Sequence, residues 1–267
     1  MIFRTLFFLL VFLPFLVVVI PLQALILALR LPFWQVLPRL FHRLGCLFLG
    51  LRINVIGQPS TGRPTLMVAN HISWTDIVAL GSVADVTFVA KREVGQWPFV
   101  GMMADLQRTI YADRTRRSET GRTAQAMGKH MASGNAVLLF AEGQSDIGTH
   151  VLPFRSALIG AAQHAMIEAG ASDVVIQPVT IAYTKLQGLP VSRNERSLIA
   201  WIKSKSVRQN IVDILSGPVK DVTIAFGHPM PLNQGDNRKA VSKAAEIQVR
   251  AMLVALNRGG KLPESAN

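Results

Sequence analysis

The sequence predicts an α/β fold, a mixed sheet flanked by helices, behind an N-terminal apolar membrane-anchoring helical segment. Three observations predict it. The apolar excess is concentrated at the N-terminus. From residue 51 onward, short β-like apolar runs alternate with helical ones. And 267 residues are enough for one α/β domain of about 200 residues plus an anchor.

The anchor comes first. Residues 5–29 carry no charge and lie between Arg4 and Arg30. As one helix they would reach roughly 37 Å, longer than the ~30 Å hydrocarbon core of a bilayer. Pro14 and Pro21 each remove a backbone donor. A straight span and a bent, half-inserted helix pair are therefore both open. The run is too long for a signal-peptide core, and no small-residue cleavage site follows it. Arg30, Arg39 and Arg43 follow it, against Arg4 before it, which places the rest of the chain on the cytoplasmic face of the inner membrane. Residues 31–51 repeat Phe33, Trp34, Leu37, Leu40, Phe41 and Leu44 at spacings of three and four. That pattern fits an interfacial helix or an ordinary core helix equally. The expected division is anchor and interfacial helix at 1–50, one catalytic domain at 51–257, and a flexible tail at 258–267.

Within the domain, strands are expected at 52–57, 64–70, 86–90, 109–112, 136–141, 174–183 and 221–227, and helices at 74–82, 94–106, 118–133, 157–169 and 238–256. Residues 192–208 are polar and basic and read as a surface loop.

Composition narrows the function. The net charge of +12 calls for an anionic partner, nucleic acid or membrane. The basic residues are scattered and only two Tyr are present, so base-stacking platforms are lacking and the membrane bilayer is the expected partner, with no nucleic acid. One cysteine, Cys46, excludes an internal disulfide and a cysteine metal cluster. It reads as a small apolar residue. The six histidines show no paired metal-ligand spacing, so no metal is expected.

The chemistry concentrates at Asn70-His71-Ile72-Ser73-Trp74-Thr75-Asp76, between an apolar strand and a helical run. His71 and Asp76 inside one helix would lie about 140° apart and not meet. With Ser73 as N-cap, Asp76 falls at the third helical position and His71 in the loop before it. The carboxylate can then turn back to the imidazole, fix its tautomer and leave the other nitrogen as a base. Helix capping alone would also explain Asp76.

This segment resembles the NHxSxxD signature of the PlsC-like lysophospholipid acyltransferase family. Three more segments follow in the family's order: Ile110-Tyr111-Ala112-Asp113-Arg114, then Phe140-Ala141-Glu142-Gly143, then Val175-Ile176-Gln177-Pro178-Val179. Lys91 matches a lysine common before the second block. The resemblance implies a base, His71, oriented by Asp76, with Lys91, Arg114, Glu142, Gly143 and Arg155 binding substrate. It implies an acyl thioester donor, acyl-CoA or acyl carrier protein, as co-substrate without a further cofactor. The acceptor would be a lysolipid, first of all 1-acylglycerol 3-phosphate giving phosphatidic acid.

The departures count. Where the family usually reads FPEGTRS, this chain reads Phe140-Ala141-Glu142-Gly143-Gln144-Ser145-Asp146, with no cation at Ser145. Arg155, ahead of an expected helix start, is a possible replacement. The variant also resembles the lyso-ornithine lipid branch, whose acceptor is zwitterionic and has no phosphate. A serine hydrolase at Gly143-Gln144-Ser145 and a non-catalytic basic membrane-binding protein are the rival readings.

Overall fold

The structure is a computed structural model that describes residues 2–112, 117–168, 173–202, 204–233 and 235–263. The chain opens with α1 (Ile2–Phe7), which runs through a π-helical turn (Phe8–Phe12) into α2 (Leu13–Ala28). Pro14 brings no N–H to the first turn of α2, and the wider π turn just before it takes up the register. Pro21 lies inside α2 without ending it. Residues Arg4–Ala28 form one helix long and apolar enough to cross a membrane, with mean hydropathy 2.9.

That helix folds back on α3 (Val36–Leu49). Phe8 packs on Phe48 with ring centroids 5.2 Å apart, and Phe12 stacks on Phe48 at 5.5 Å and leans on Phe41 at 5.7 Å. Both ends of the hairpin's first arm are tied to the domain. Arg4 donates to the carbonyls of Leu215 and Gly217, each at 2.8 Å. Gln23 donates to the carbonyls of Trp34 and Leu106, each at 2.9 Å. In α3 itself, His42, Gly45, Cys46 and Leu49 are buried, while Val36, Leu40 and Leu47 are exposed. The core reading holds for the buried face; the opposite face is exposed.

The domain follows as β1 (Leu51–Ile56), β2 (Thr65–Ala69), α4 (Thr75–Val83), β3 (Val86–Lys91), a 3-10 turn at Arg92–Gln96, α5 (Pro98–Leu106), β4 (Ile110–Ala112), α6 (Arg117–Ala132), β5 (Ala136–Phe140) and α7 (Ser156–Glu168). It continues through β6 (Val175–Leu186), β7 (Leu189–Pro190), α8 (Arg196–Ile199), α9 (Val207–Ser216), β8 (Lys220–Phe226), β9 (Met230–Pro231) and α10 (Arg238–Asn257). The main strand order is β1-β8-β6-β2-β5-β3-β4, with β7 and β9 on β6. β2 runs parallel to β5 and β6, while β6 meets β8 antiparallel, so the sheet is mixed as expected.

Two cores cover the sheet. Leu66 and Val68 face Met127, Met131, Val249 and Met252, from α6 and α10. Met67 and Ala69 face Cys46, Leu49, Ala79 and Leu80, from α3 and α4. Alternate side chains of one strand go to opposite cores because the strand repeat is two. Both faces being covered explains why β2 and β5 are buried throughout and, Thr65 apart, apolar.

The surface loop expected at 192–208 is corrected. The segment holds α8 and the start of α9, and Ile199 and Ala200 are buried. Arg196 is inside because it has partners. Arg196 donates to the Gly148 carbonyl at 3.2 Å and to Asn257 Oδ1 at 2.9 Å. At the other end of the domain, Leu262 packs against the core beyond α10.

Candidate active site

β2 and β5 are adjacent and parallel, with Ala69 opposite Phe140. Their carboxyl ends therefore deliver Asn70-His71 and Ala141-Glu142 to the same edge, where open α/β sheets bind ligands. Asn70 is buried and acts like one more ladder residue toward β6. It donates to the Ile181 carbonyl at 3.0 Å and accepts from the Ile181 N–H at 2.9 Å. This fixes the start of the loop that carries His71.

The helix after that loop begins at Thr75, with Trp74 at the N-cap. The expected Ser73 cap is not made: the Ser73 hydroxyl is buried without a hydrogen-bond partner, and Asp76 is the second helical residue. Asp76 supplies the acceptor instead. Its Oδ2 accepts from the N–H groups of Ile72 at 2.6 Å and Ser73 at 2.9 Å, and from His71 Nδ1 at 2.8 Å. Its Oδ1 accepts from the Tyr183 hydroxyl at 2.8 Å, and Thr75 Oγ1 lies 2.6 Å from that hydroxyl. Four donors on one fully buried carboxylate offset the cost of taking it out of water. Burial and the Asp76 charge push Tyr183 well above the usual phenol range, so it stays a donor.

With Nδ1–H donated to Asp76, His71 presents Nε2 as its basic nitrogen. Among the described residues no hydrogen bond holds Nε2, and the side chain keeps 17% exposure. The ring stacks on Phe140, centroid to centroid 4.1 Å, so packing as well as hydrogen bonding sets its plane.

Glu142 joins this pair. The turn from Phe140 closes with the Gly143 N–H on the Phe140 carbonyl at 3.1 Å, and Gly143 adopts φ +78°, a conformation that favours glycine. Glu142 is 3% exposed and bonded to the backbones of His71 and Leu152. Burial, with the neighbouring Asp146 charge next, pushes its carboxyl up to about 9. The Arg155 N–H donates to the Ala141 carbonyl at 2.9 Å, and α7 begins one residue later, so Arg155 stands exposed at a helix start beside the turn. Lys91 ends β3, the strand next to β5, and is exposed on the same edge. Arg114 lies outside the described residues; β4 ends two positions earlier at Ala112, opposite Lys91.

Sequence reading missed Tyr183, Phe140 as the ring's floor, and Trp201. Trp201 donates its N–H to the Ile72 carbonyl at 3.0 Å and accepts from the Ser145 hydroxyl. No local pattern could have found Tyr183 or Trp201, since each is more than a hundred residues from His71. The hydroxyl of Ser145, the hydrolase reading's nucleophile, is bonded to the Trp201 backbone carbonyl. Among the described residues no group of three His, Cys, Asp or Glu side chains is placed to hold a metal ion.

A family model described as acyltransferase matches residues 52–182. The chain is 40% identical over 246 residues to a lyso-ornithine lipid O-acyltransferase of Brucella abortus, covering 92% of each. It is 33% identical to a 1-acyl-sn-glycerol-3-phosphate acyltransferase of Neisseria meningitidis over 50% of each. The chain belongs to the PlsC-like lysophospholipid acyltransferase family, and it is an acyltransferase. Its fold matches the crystal structure of the 1-acyl-sn-glycerophosphate acyltransferase PlsC from Thermotoga maritima with a TM-score of 0.62 at 19% identity, over 95% of this chain and 97% of that one.

Proposed function

We propose that this chain is a lyso-ornithine lipid O-acyltransferase that takes a fatty acyl group from a thioester, acyl-CoA or acyl carrier protein. One observation carries the choice of acceptor. Ser145 stands where the family pattern has a cation, and its hydroxyl is given to the Trp201 carbonyl. That position offers no charge to a phosphate. The likeness to lyso-ornithine lipid enzymes along nearly the whole chain supports the same reading.

In the reaction, His71 Nε2 takes the proton of the acceptor hydroxyl as its oxygen attacks the thioester carbonyl. Asp76 orients the ring and stabilises the imidazolium that forms. The carbon–sulfur bond then breaks, the proton passes to the thiolate, and an ester and a free thiol remain. Neutral Glu142, beside His71, can donate to an acceptor oxygen.

Lysophosphatidate is the second reading, favoured by the exposed cations Lys91 and Arg155 on the same edge. The test supplies labelled acyl-CoA and acyl carrier protein to membranes carrying the protein, with lyso-ornithine lipid and lysophosphatidate side by side and a His71→Ala control. His71-dependent product from lyso-ornithine lipid is expected; product from lysophosphatidate alone would reverse the order.

The apolar hairpin is the proposed membrane attachment, on the cytoplasmic face of the inner membrane, next to Arg30, Arg39 and Arg43. Arg4 and Gln23 both hold to the same domain, which supports a half-inserted hairpin rather than a crossing helix.

A further inference from the structure

The turn that carries Ser145 ends in a charge of the opposite sign. Asp146 follows it, and the Asp146 N–H donates to the His71 carbonyl at 2.9 Å, so its backbone is tied to the catalytic loop. Its side chain is 23% exposed, and Oδ2 is buried without a hydrogen-bond partner. Its ion-pairing neighbour among the described residues is His150, whose Nδ1 lies 3.5 Å from that same Oδ2, too long for a strong hydrogen bond, on a side chain 56% exposed. A carboxylate oxygen left unbonded at a substrate site is costly unless a ligand fills it. The neighbouring Glu142 does not compensate it, being a carboxyl itself.

Trp201 stands on the other side of Ser145. Its ring is half-exposed and 6.0 Å from that of Trp97, the planes tilted by 54°. Indole faces attract alkylammonium groups. The turn thus offers a carboxylate whose Oδ2, among the described residues, has no hydrogen bond and only a long 3.5 Å contact with His150, together with aromatic faces. Exposed Arg155 stands at the helix start, bonded through its N–H to Ala141. A phosphate monoester would meet Asp146 as a like charge. A zwitterion with a primary ammonium and a carboxylate would meet a partner for each.

We infer that Asp146 is the specificity residue for the acceptor head group, its carboxylate taking the head group's ammonium while Arg155 takes the carboxylate. The inference rests on the lyso-ornithine reading and adds the residue that enforces it.

The test is kinetic, on the full chain in membranes. Wild type, Asp146→Asn and Asp146→Glu are assayed with lyso-ornithine lipid and with the same lipid acetylated on its head-group amine. Asp146→Asn keeps the shape and the backbone N–H. It should raise the KM for lyso-ornithine lipid roughly tenfold to a hundredfold, with kcat little changed. Asp146→Glu should recover part of the loss. The acetylated lipid should be as poor for wild type as the natural one is for Asp146→Asn, and no poorer for the variant. An unchanged KM in Asp146→Asn, with wild type still using lyso-ornithine lipid, overturns the assignment and leaves the proposed function standing. Equal losses on both lipids, or a loss confined to kcat, assign Asp146 to the fold and overturn it too. Wild type that acylates lysophosphatidate alone overturns the function and the inference together.

Discussion

Oδ2 of Asp76 accepts three hydrogen bonds at once, two from backbone and one from His71. One carboxylate thus ties down the loop ahead of α4 and holds the His71 ring; it makes no side-chain cap on the helix itself. Removing the proposed base has the largest expected effect: His71→Ala should lose roughly a thousandfold or more in kcat while the protein stays folded, as circular dichroism and turnover together would show. Tyr183→Phe strips one donor from Asp76 and leaves Thr75 Oγ1 without its partner. About a tenfold fall in kcat is expected, and a variant at full rate would put Tyr183 outside the catalytic network. Glu142 gives a pH signature. Its carboxyl titrates near 4.5 when unfolded and about 9 when folded, so the folded state holds an extra proton between those values. Stability from this group is therefore full at low pH and is lost as pH rises through that window. Melting temperatures of Glu142→Gln should decline less steeply over it than those of wild type. At this scale His71, Asp76 and Glu142 were legible because the motif keeps them within a few residues of a strand end. Tyr183 was not, because its link to Asp76 exists only once β6 lies beside β2.

Helix α4 is positioned from the side as well as from its cap. Trp74 Nε1 donates to Asn210 Oδ1 at 2.9 Å, and Asn210 Nδ2 donates to the Ala200 carbonyl at 3.0 Å. One buried amide in α9 thus ties together the N-cap of α4 and the strap after α8. Asn210→Ala leaves an indole N–H and a carbonyl unpaired, for a loss of about 2–4 kcal/mol. The same variant should lower kcat, because Trp74 precedes Asp76 by two residues; chemical denaturation and turnover on one preparation check both. The alternation of apolar runs predicted β2, β5 and the long α10 nearly to the residue, since strands buried on both faces and an amphipathic helix leave strong patterns. The segment at 192–208 was illegible for the opposite reason. Burying Arg196 looks forbidden until Gly148 and Asn257 are known to receive it.

At the scale of the molecule, the helical hairpin, the sheet and the edge that carries His71 form one body. The hairpin is joined to the domain through α3, whose buried face packs on α4. If apolar burial holds the protein to lipid, high salt should leave it on the membrane and detergent should release it, as sedimentation would show; release by salt alone would make the attachment electrostatic. Length, composition and an uncharged run made the long apolar helix legible. Its return onto the domain was not, because Arg4 has no local partner in the sequence.

The Arg4 clasp also bears on how the protein is made. Leu215 and Gly217, which receive Arg4, leave the ribosome long after the helix that carries it. β1 waits for the same stretch, since its partner β8 follows directly. The apolar helix thus spends most of synthesis without the carbonyls that receive Arg4, with α3 as its first apolar partner. If this helix enters a bilayer, as proposed, insertion would come first and the domain would close onto it afterwards.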